Sequence, residues 1–144
     1  MSAGYSGTPL PKKLGFRDGQ RAAFIGLPND LSWLAGSVDL QEAWLEPAFT
    51  DTLPHGLDVV HLFTVEAEPL GKLLDGLKQR IVPNGMIWVS WPKKSAKVPT
   101  DVTEDVIRSA ALGRGLVDVK VCAVDAVWSG LKLVIPKALR AATS

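Results

Sequence analysis

The residues best suited to chemistry fall in two short segments, each of which follows an apolar run. Together they supply two indoles, two ammonium groups, a carboxylate and two hydroxyls. Indoles stack on planar ligands, and ammonium groups donate charge-assisted hydrogen bonds to anions. The pattern therefore predicts a binding site for a planar or anionic ligand. The residues assigned to this site are Trp91, Lys93, Lys94, Ser95, Asp125, Trp128 and Ser129.

Three further residues are candidates for the same site. Open parallel sheets bind ligands beyond the carboxyl ends of their strands, and Asn29 and Asp30 follow the first predicted strand. Tyr5 lies in an N-terminal stretch that would roof the site if this stretch crosses the same edge. In the alternative interpretation, Trp91 and Trp128 cap the core while the lysines are solvated. The sequence leaves both interpretations open.

Neither a catalytic group nor a metal centre is visible in the sequence. The chain holds two histidines and one cysteine, too few for a zinc site built on several thiolates. His61 lies within an apolar strand, where a hydrogen-bonded core histidine is expected rather than a catalytic base. Cys122 is interpreted as a packed small residue rather than as a reactive thiol. The sequence therefore assigns no catalytic residue, no metal and no cofactor.

Composition describes a globular protein without a strong electric field. Its 144 residues are 47% hydrophobic and 22% charged, and the formal net charge is +1. No apolar run approaches the ~20 residues that span a bilayer, and no secretion signal is visible, so a cytoplasmic location without membrane contact is expected. The expected partner is a small molecule or a protein. Nucleic acid is not expected, because its binding would require five separate lysines to meet in one patch. These lysines are Lys12, Lys13, Lys93, Lys94 and Lys97.

The central part of the chain predicts a strand, a helix and a second strand. Residues 57–65 form a short run rich in β-branched residues, and four leucines then recur at the spacing of one helical face. Pro83-Asn84-Gly85 breaks the chain before a second apolar strand at residues 86–91. A unit of this size forms a parallel pair with a right-handed crossover. The four leucines are Leu70, Leu73, Leu74 and Leu77.

The flanking segments supply the remaining elements. Upstream, residues 20–27 are predicted as the first strand and residues 31–35 as a short helix, with one short strand within residues 37–55. Downstream, Thr100-Asp101 is predicted to cap a third helix. Two alternating strands then follow, separated by about five loop residues, which is too short a link for a crossover. The last two strands must therefore be antiparallel.

These elements predict a single domain of the α/β class. Its sheet is mostly parallel, flanked by helices and closed by an antiparallel C-terminal hairpin. Residues 1–19 are expected to form an N-terminal arm, residues 20–136 the α/β core, and residues 137–144 a flexible tail.

This order of elements resembles the class I methyltransferase-like fold, a relative of the Rossmann fold. The resemblance includes Asp58-Val59-Val60 and the helix end and turn at residues 77–85. It implies an S-adenosylmethionine site at a Gly-x-Gly-x-Gly loop after the first strand. Here residues 26–30 supply one glycine, Gly26, and a proline, Pro28, that lacks an N–H. No acidic residue follows cleanly at the end of a second strand to hold ribose hydroxyls, so the chain is interpreted as a truncated relative that has lost the cofactor site.

Several motifs also resemble a small uncharacterised bacterial family, known as a domain of unknown function. The similar segments include residues 5–10, 12–15, 91–95 and 125–131. The resemblance implies fold and a bacterial origin, and it carries no catalytic residue. The observations favour a non-catalytic binding or interaction module without S-adenosylmethionine-dependent activity. The alternative is an enzyme that acts on a small anionic or planar substrate at the carboxyl edge of the sheet.

Overall fold

The computed structural model describes residues 8–143, which form a six-stranded sheet flanked by helical segments. The strands are β1 (Arg21–Ile25), β2 (Glu42–Glu46), β3 (Leu57–Phe63), β4 (Ile81–Pro92), β5 (Val117–Ala123) and β6 (Trp128–Val134). The α-helices are α1 (Leu10–Lys13), α2 (Leu70–Arg80), α3 (Glu104–Ala111) and α4 (Lys137–Thr143), and 3-10 helices cover Asn29–Gly36 and Lys94–Ala96. None of the helices between residues 8 and 143 has the length and apolar character needed to cross a bilayer.

The strands lie in the order β2-β1-β3-β4-β6-β5. The first four in the chain are parallel, whereas β6 runs antiparallel to both β4 and β5. β5 therefore runs in the same direction as β4, and the loop that follows it lies at the carboxyl edge, where the parallel strands end. This confirms the expected fold class: a mostly parallel α/β sheet with an antiparallel C-terminal pair, in a truncated Rossmann or methyltransferase-like arrangement.

Two hydrophobic clusters cover the opposite faces of this sheet. On β4, Ile87 and Val89 belong to the first cluster, whereas Met86 and Trp88 belong to the second, as the alternation of a strand requires. We call the first the α2/α3 face, because buried residues of α2 and α3 pack there. The second is the N-terminal face, where Leu14 and residues of the first 3-10 helix pack.

The crossover from β3 through α2 to β4 forms as predicted, with one local difference. Leu70, Leu74 and Leu77 are fully buried, while Leu73 is only partly buried at the margin of the cluster. The predicted break at residues 83–85 was wrong, because β4 already begins at Ile81 and these residues form an irregularity within it. A Cβ atom at Gly85 would lie only 3.0 Å and 3.1 Å from two backbone oxygens, so a glycine accommodates this close approach.

The first half of the chain builds the outer edge of the sheet. β1 lies within the predicted range, and the 3-10 helix begins at Asn29, two residues before the predicted helix. The segment between residues 37 and 55 holds β2, the single short strand expected there. β2 pairs in parallel register with β1, with Ile25 opposite Glu46. The carboxyl ends of β1 and β2 therefore lie side by side.

The two ends of the described chain contain buried residues and a helix that the sequence pattern did not predict. Within the expected arm, Leu14 and Phe16 are core residues that are 0% and 3% exposed. The Leu14 carbonyl accepts a 2.7 Å hydrogen bond from the indole N–H of the buried Trp88. Residues 14–16 thus belong to the core rather than to an arm. The expected tail begins with a helix, α4, rather than with irregular chain.

The cap of α3 also differs from the prediction. Thr103 caps the helix, because its Oγ1 accepts a hydrogen bond from the Val106 N–H. The predicted capping residues instead hold the loop that follows β3. Thr100 Oγ1 donates to the Val65 carbonyl, and Asp101 Oδ1 accepts from the Ala67 N–H.

Candidate functional site

The two predicted binding segments meet at the carboxyl edge. The end of β4 pairs with the start of β6, so that Trp91 lies opposite Ser129 and Pro92 opposite Trp128. The backbone N–H of Lys93 donates to the Val127 carbonyl at 2.7 Å, which extends this contact beyond the strands. Residues about 35 positions apart in sequence therefore lie side by side, as the topology predicted.

The two indoles, however, lie on opposite faces of the sheet. Paired residues of antiparallel strands share a face, and successive residues alternate. Trp91 is 8% exposed within the cluster on the α2/α3 face. Trp128 is half-buried on the N-terminal face, with its ring edge-on to Phe63 at 5.2 Å between centroids. The expectation that both tryptophans contact one ligand was wrong, because their side chains point away from each other.

The polar residues of these segments brace the hairpin loop. Lys93 Nζ donates a 2.7 Å hydrogen bond to the Asp125 carbonyl. Asp125 Oδ1 accepts from the N–H groups of Val127 and Trp128, at 2.8 Å and 2.7 Å. Both charged side chains therefore have structural partners. Lys94 and Ser95 are exposed in the short 3-10 helix after β4, and Ser129 is half-buried.

The remaining predicted residues lie elsewhere on the carboxyl edge or outside the described chain. Asn29 and Asp30 are exposed at the start of the first 3-10 helix. Asn29 lines a small cavity of about 230 Å³ at the ends of β1 and β2. This small cavity is lined by Phe24, Gly26, Leu27, Asn29, Ser32, Leu45, Glu46 and Pro47. Tyr5 lies outside the described residues.

Two positions of the loop after β1 present no backbone donor to a ligand. Gly26 has a positive φ of 70°, and a Cβ atom there would lie 3.0 Å from the Phe63 carbonyl oxygen. Its N–H donates to the Glu46 carbonyl at 2.8 Å, and Pro28 has no N–H to offer. The backbone donors that a glycine-rich loop presents to a ligand are therefore spent or missing at Gly26 and Pro28.

The end of β2 differs from the sequence prediction in one respect, the presence of Glu46. The sequence shows no clear acidic residue at the end of a second strand, because Pro47 and Pro54 obscure the strand pattern. In the structure β2 ends at Glu46, whose half-buried side chain lines the small cavity. An acidic residue therefore does stand at the end of the second strand, where the sequence pattern had shown none.

His61 and Ser90 form a pair that resembles a base and a nucleophile. His61 Nε2 lies 2.7 Å from Ser90 Oγ, and both residues are 0% exposed. Burial lowers the pKa of His61 to about 3, and its Nδ1 has no hydrogen-bond partner among the described residues. No substrate reaches a pair enclosed in this way. The predicted core histidine is confirmed.

The described residues show neither a reactive thiol at Cys122 nor a metal-binding cluster. Cys122 is 9% exposed, and burial raises the pKa of its thiol, so the predicted packed residue is confirmed. Within residues 8–143, no group of three or more His, Cys, Asp or Glu side chains is arranged to hold a metal ion.

A larger cavity lies at the opposite, amino edge of the sheet, where the parallel strands begin. Its volume is about 780 Å³, and sequence reasoning did not assign it. Lys12 lines this cavity, about 20 Å from the lysines that follow β4, since six residues of extended strand separate Met86 from Pro92. The single patch of Lys12 with Lys93, Lys94 and Lys97 therefore does not form. The cavity is lined by Lys12, Gly15, Phe16, Arg17, Asp18, Gly19, Gln20, Asp58, Asn84, Met86, Lys132, Val134 and Arg140.

Solved structures share this fold at low sequence identity. An S-adenosylmethionine-dependent methyltransferase from Aquifex aeolicus aligns with a TM-score of 0.66 at 16% identity, over 87% of each chain. A precorrin-6y C5,15-methyltransferase from Geobacter metallireducens aligns with 0.60 at 14% identity, over 88% of this chain and 86% of that one. Magnesium protoporphyrin IX methyltransferase from Synechocystis, with bound S-adenosylmethionine, aligns with 0.61 at 13% identity, over 83% and 71%. No family model and no curated protein sequence matches the chain.

Proposed function

We propose that this chain is a non-catalytic binding or interaction module on a degenerate methyltransferase-like fold, without S-adenosylmethionine-dependent activity. The observation that carries the proposal is the loss of two backbone donors, at Gly26 and Pro28, in the loop after β1. The cavity beside it measures about 230 Å³, below the ~300–1,000 Å³ of typical small-molecule pockets. The residues present fit S-adenosylmethionine poorly, because neither Gly26 nor Pro28 presents a free N–H to it.

The chemistry of the rest of the carboxyl edge supports the same proposal. Lys93 and Asp125 are engaged in bracing the hairpin loop, and the His61–Ser90 pair is sealed in the core. Nucleophilic catalysis by side chains requires a nucleophile, a base and a place for the substrate within mutual reach. The described residues at this edge offer surface groups for binding instead, chiefly the Trp128 ring and the exposed Lys94.

The second candidate, an enzyme acting at the carboxyl edge, is favoured by one observation. Glu46 keeps a carboxylate at the end of β2, beside Asn29 and the small cavity. A carboxylate in a partly enclosed site can bind hydroxyl groups or accept a proton. A substrate smaller than S-adenosylmethionine would be required.

A ligand screen distinguishes these two candidates. Nucleotides, acyl phosphates and sugar phosphates are tested by thermal shift, and every hit is then incubated with the protein and examined for consumption. We expect hits without consumption, with the shift reduced in Lys94→Ala and in Trp128→Phe, which keeps an aromatic ring against Phe63. Lys72→Ala is the matched control, because Lys72 is also an exposed lysine and lies on α2, outside the two segments at the ends of β4 and β5. Turnover of any hit contradicts the non-catalytic proposal, and an equal loss in Lys72→Ala contradicts the assignment of binding to Lys94 and Trp128.

A further inference from the structure

The amino-edge cavity brings together basic residues that are far apart in the sequence. Four basic side chains line it, and two carboxylates accompany them. Both carboxylates accept backbone hydrogen bonds. Asp58 Oδ2 accepts from the Arg21 N–H, and Asp18 Oδ1 accepts from the Asp39 N–H, each at 2.8 Å. The four basic residues are Lys12, Arg17, Lys132 and Arg140.

These cations lack carboxylate partners in the described part of the chain. The ion pairs between residues 8 and 143 involve Arg21, Arg108 and Arg114, none of which lines the cavity. Arg140 uses its Nε to donate to the Ile135 carbonyl at 2.8 Å, which fixes its position and leaves its terminal nitrogens for another acceptor. The two carboxylates offset part of this charge, and the six charged side chains that line the cavity leave a formal net charge of +2.

The environment of Lys132 is the strongest argument that this cavity binds an anion. It is half-buried on β6, directly opposite Lys120 on β5. Burial lowers the pKa of Lys132, and the positive charges of Lys120 and Arg17 lower it further. Like charges placed directly opposite on paired strands destabilise a sheet. A bound anion would relieve this repulsion.

The walls of the cavity are held in place before any ligand arrives. The side-chain amide of Gln20 accepts from the Arg17 N–H at 2.8 Å and donates to the Gly15 carbonyl at 3.1 Å, which closes the loop that carries Arg17. Phe16 is buried beneath this loop. Because the site is preorganised, less conformational entropy is lost when a ligand binds.

We infer that the amino-edge cavity binds a small molecule that carries more than one phosphate group. Its volume of about 780 Å³ lies within the ~300–1,000 Å³ range of small-molecule sites. Guanidinium and ammonium groups are the usual protein donors to phosphate. A concave site with two carboxylates in its wall, in a chain of net charge +1, suits a compact anion better than an extended nucleic-acid backbone. The inference concerns the edge opposite to the proposed carboxyl-edge surface, and it holds whether or not that surface is catalytic.

Inorganic tripolyphosphate is the probe that tests this site in the full chain. At 100 times its dissociation constant, we expect it to raise the melting temperature by about 5–10 °C. Lys132→Met and Arg17→Met each remove one charge-assisted contact, so each should weaken tripolyphosphate binding roughly 10- to 100-fold. The double variant Lys72→Met/Lys97→Met removes two exposed lysines away from the cavity and should bind with unchanged affinity.

The unliganded Lys132→Met protein provides an internal check. Because the substitution removes the repulsion with Lys120 and keeps the apolar stem, its melting temperature without tripolyphosphate should equal or exceed that of the parent. A gain in stability together with a loss of tripolyphosphate binding supports the inference. No binding of tripolyphosphate to the parent, or equal weakening in the Lys72/Lys97 control, overturns it. Binding of single-stranded RNA without binding of tripolyphosphate also overturns it, in favour of a nucleic-acid surface.

Discussion

Replacing Leu74 or Leu77 with alanine is expected to lower the free energy of unfolding by about 2–5 kcal/mol. Both side chains are 0% exposed in the cluster that joins α2 to the sheet. Each substitution removes buried apolar atoms and leaves a cavity that a close-packed core fills only in part. Chemical denaturation with urea, followed by tryptophan fluorescence, measures the change directly.

Leu73 is the matched control for this prediction. It lies on the same helix, next to Leu74, but is only partly buried. Leu73→Ala should therefore cost clearly less than either core substitution. If all three variants lost less than ~1 kcal/mol, the orientation of α2 against the sheet would be wrong. A larger loss in Leu73→Ala than in Leu74→Ala would mean that the helix is rotated about its axis.

Acid is expected to destabilise the protein strongly through His61. The pKa of His61 is about 3 in the folded chain, against 6.5 for an ordinary histidine, because the side chain is fully buried. Between these two pH values, the unfolded state binds a proton that the folded state rejects. The contribution of His61 to stability is therefore complete above pH 6.5 and falls by about 1.4 kcal/mol per pH unit below it.

Urea unfolding at pH 7, 6, 5 and 4 measures this loss. The control is the double variant His61→Phe/Ser90→Ala, which removes the titrating group without leaving the buried Ser90 hydroxyl unpaired. Carboxylates contribute equally to both proteins, so the parent should lose more stability than the variant, by about 1.4 kcal/mol per pH unit. Parallel curves for the two proteins between pH 6 and pH 4 would show that His61 takes up a proton in the folded state and is not sealed.

The sequence predicted the elements whose patterns are local. The leucines of α2 recur at helical spacing, which predicts a helix. β3 carries a continuous apolar run and the C-terminal strands carry alternating ones, which predict strands. The directions of these elements then follow from the lengths of the links between them. The shared direction of β3, β4 and β5 then places Trp91 and Trp128 at one edge. The break predicted at Pro83-Asn84-Gly85 was wrong, because a strand can contain an irregularity where a glycine accommodates close backbone approach.

The faces on which side chains lie were harder to predict. Whether Trp91 and Trp128 share a face depends on the register of β4 against β6, and a shift of one residue would reverse the answer.

The amino-edge cavity was also missed, since its four cations lie at positions 12, 17, 132 and 140. Only the folding of residues 14–16 into the core brings the first two beside the last two. The sequence signal that could have suggested this is the burial expected of Leu14 and Phe16 within an otherwise polar segment.

Isothermal titration of S-adenosylmethionine into the full chain tests the central claim most directly. The same stock titrated into an active methyltransferase verifies the ligand, and S-adenosylhomocysteine is titrated in parallel. Because the loop after β1 offers no free N–H at Gly26 or Pro28, and the cavity beside it measures about 230 Å³, we predict no measurable binding of either compound at micromolar concentrations. A micromolar dissociation constant for either compound would contradict the account, and its loss in Glu46→Gln would show that the cofactor site is retained.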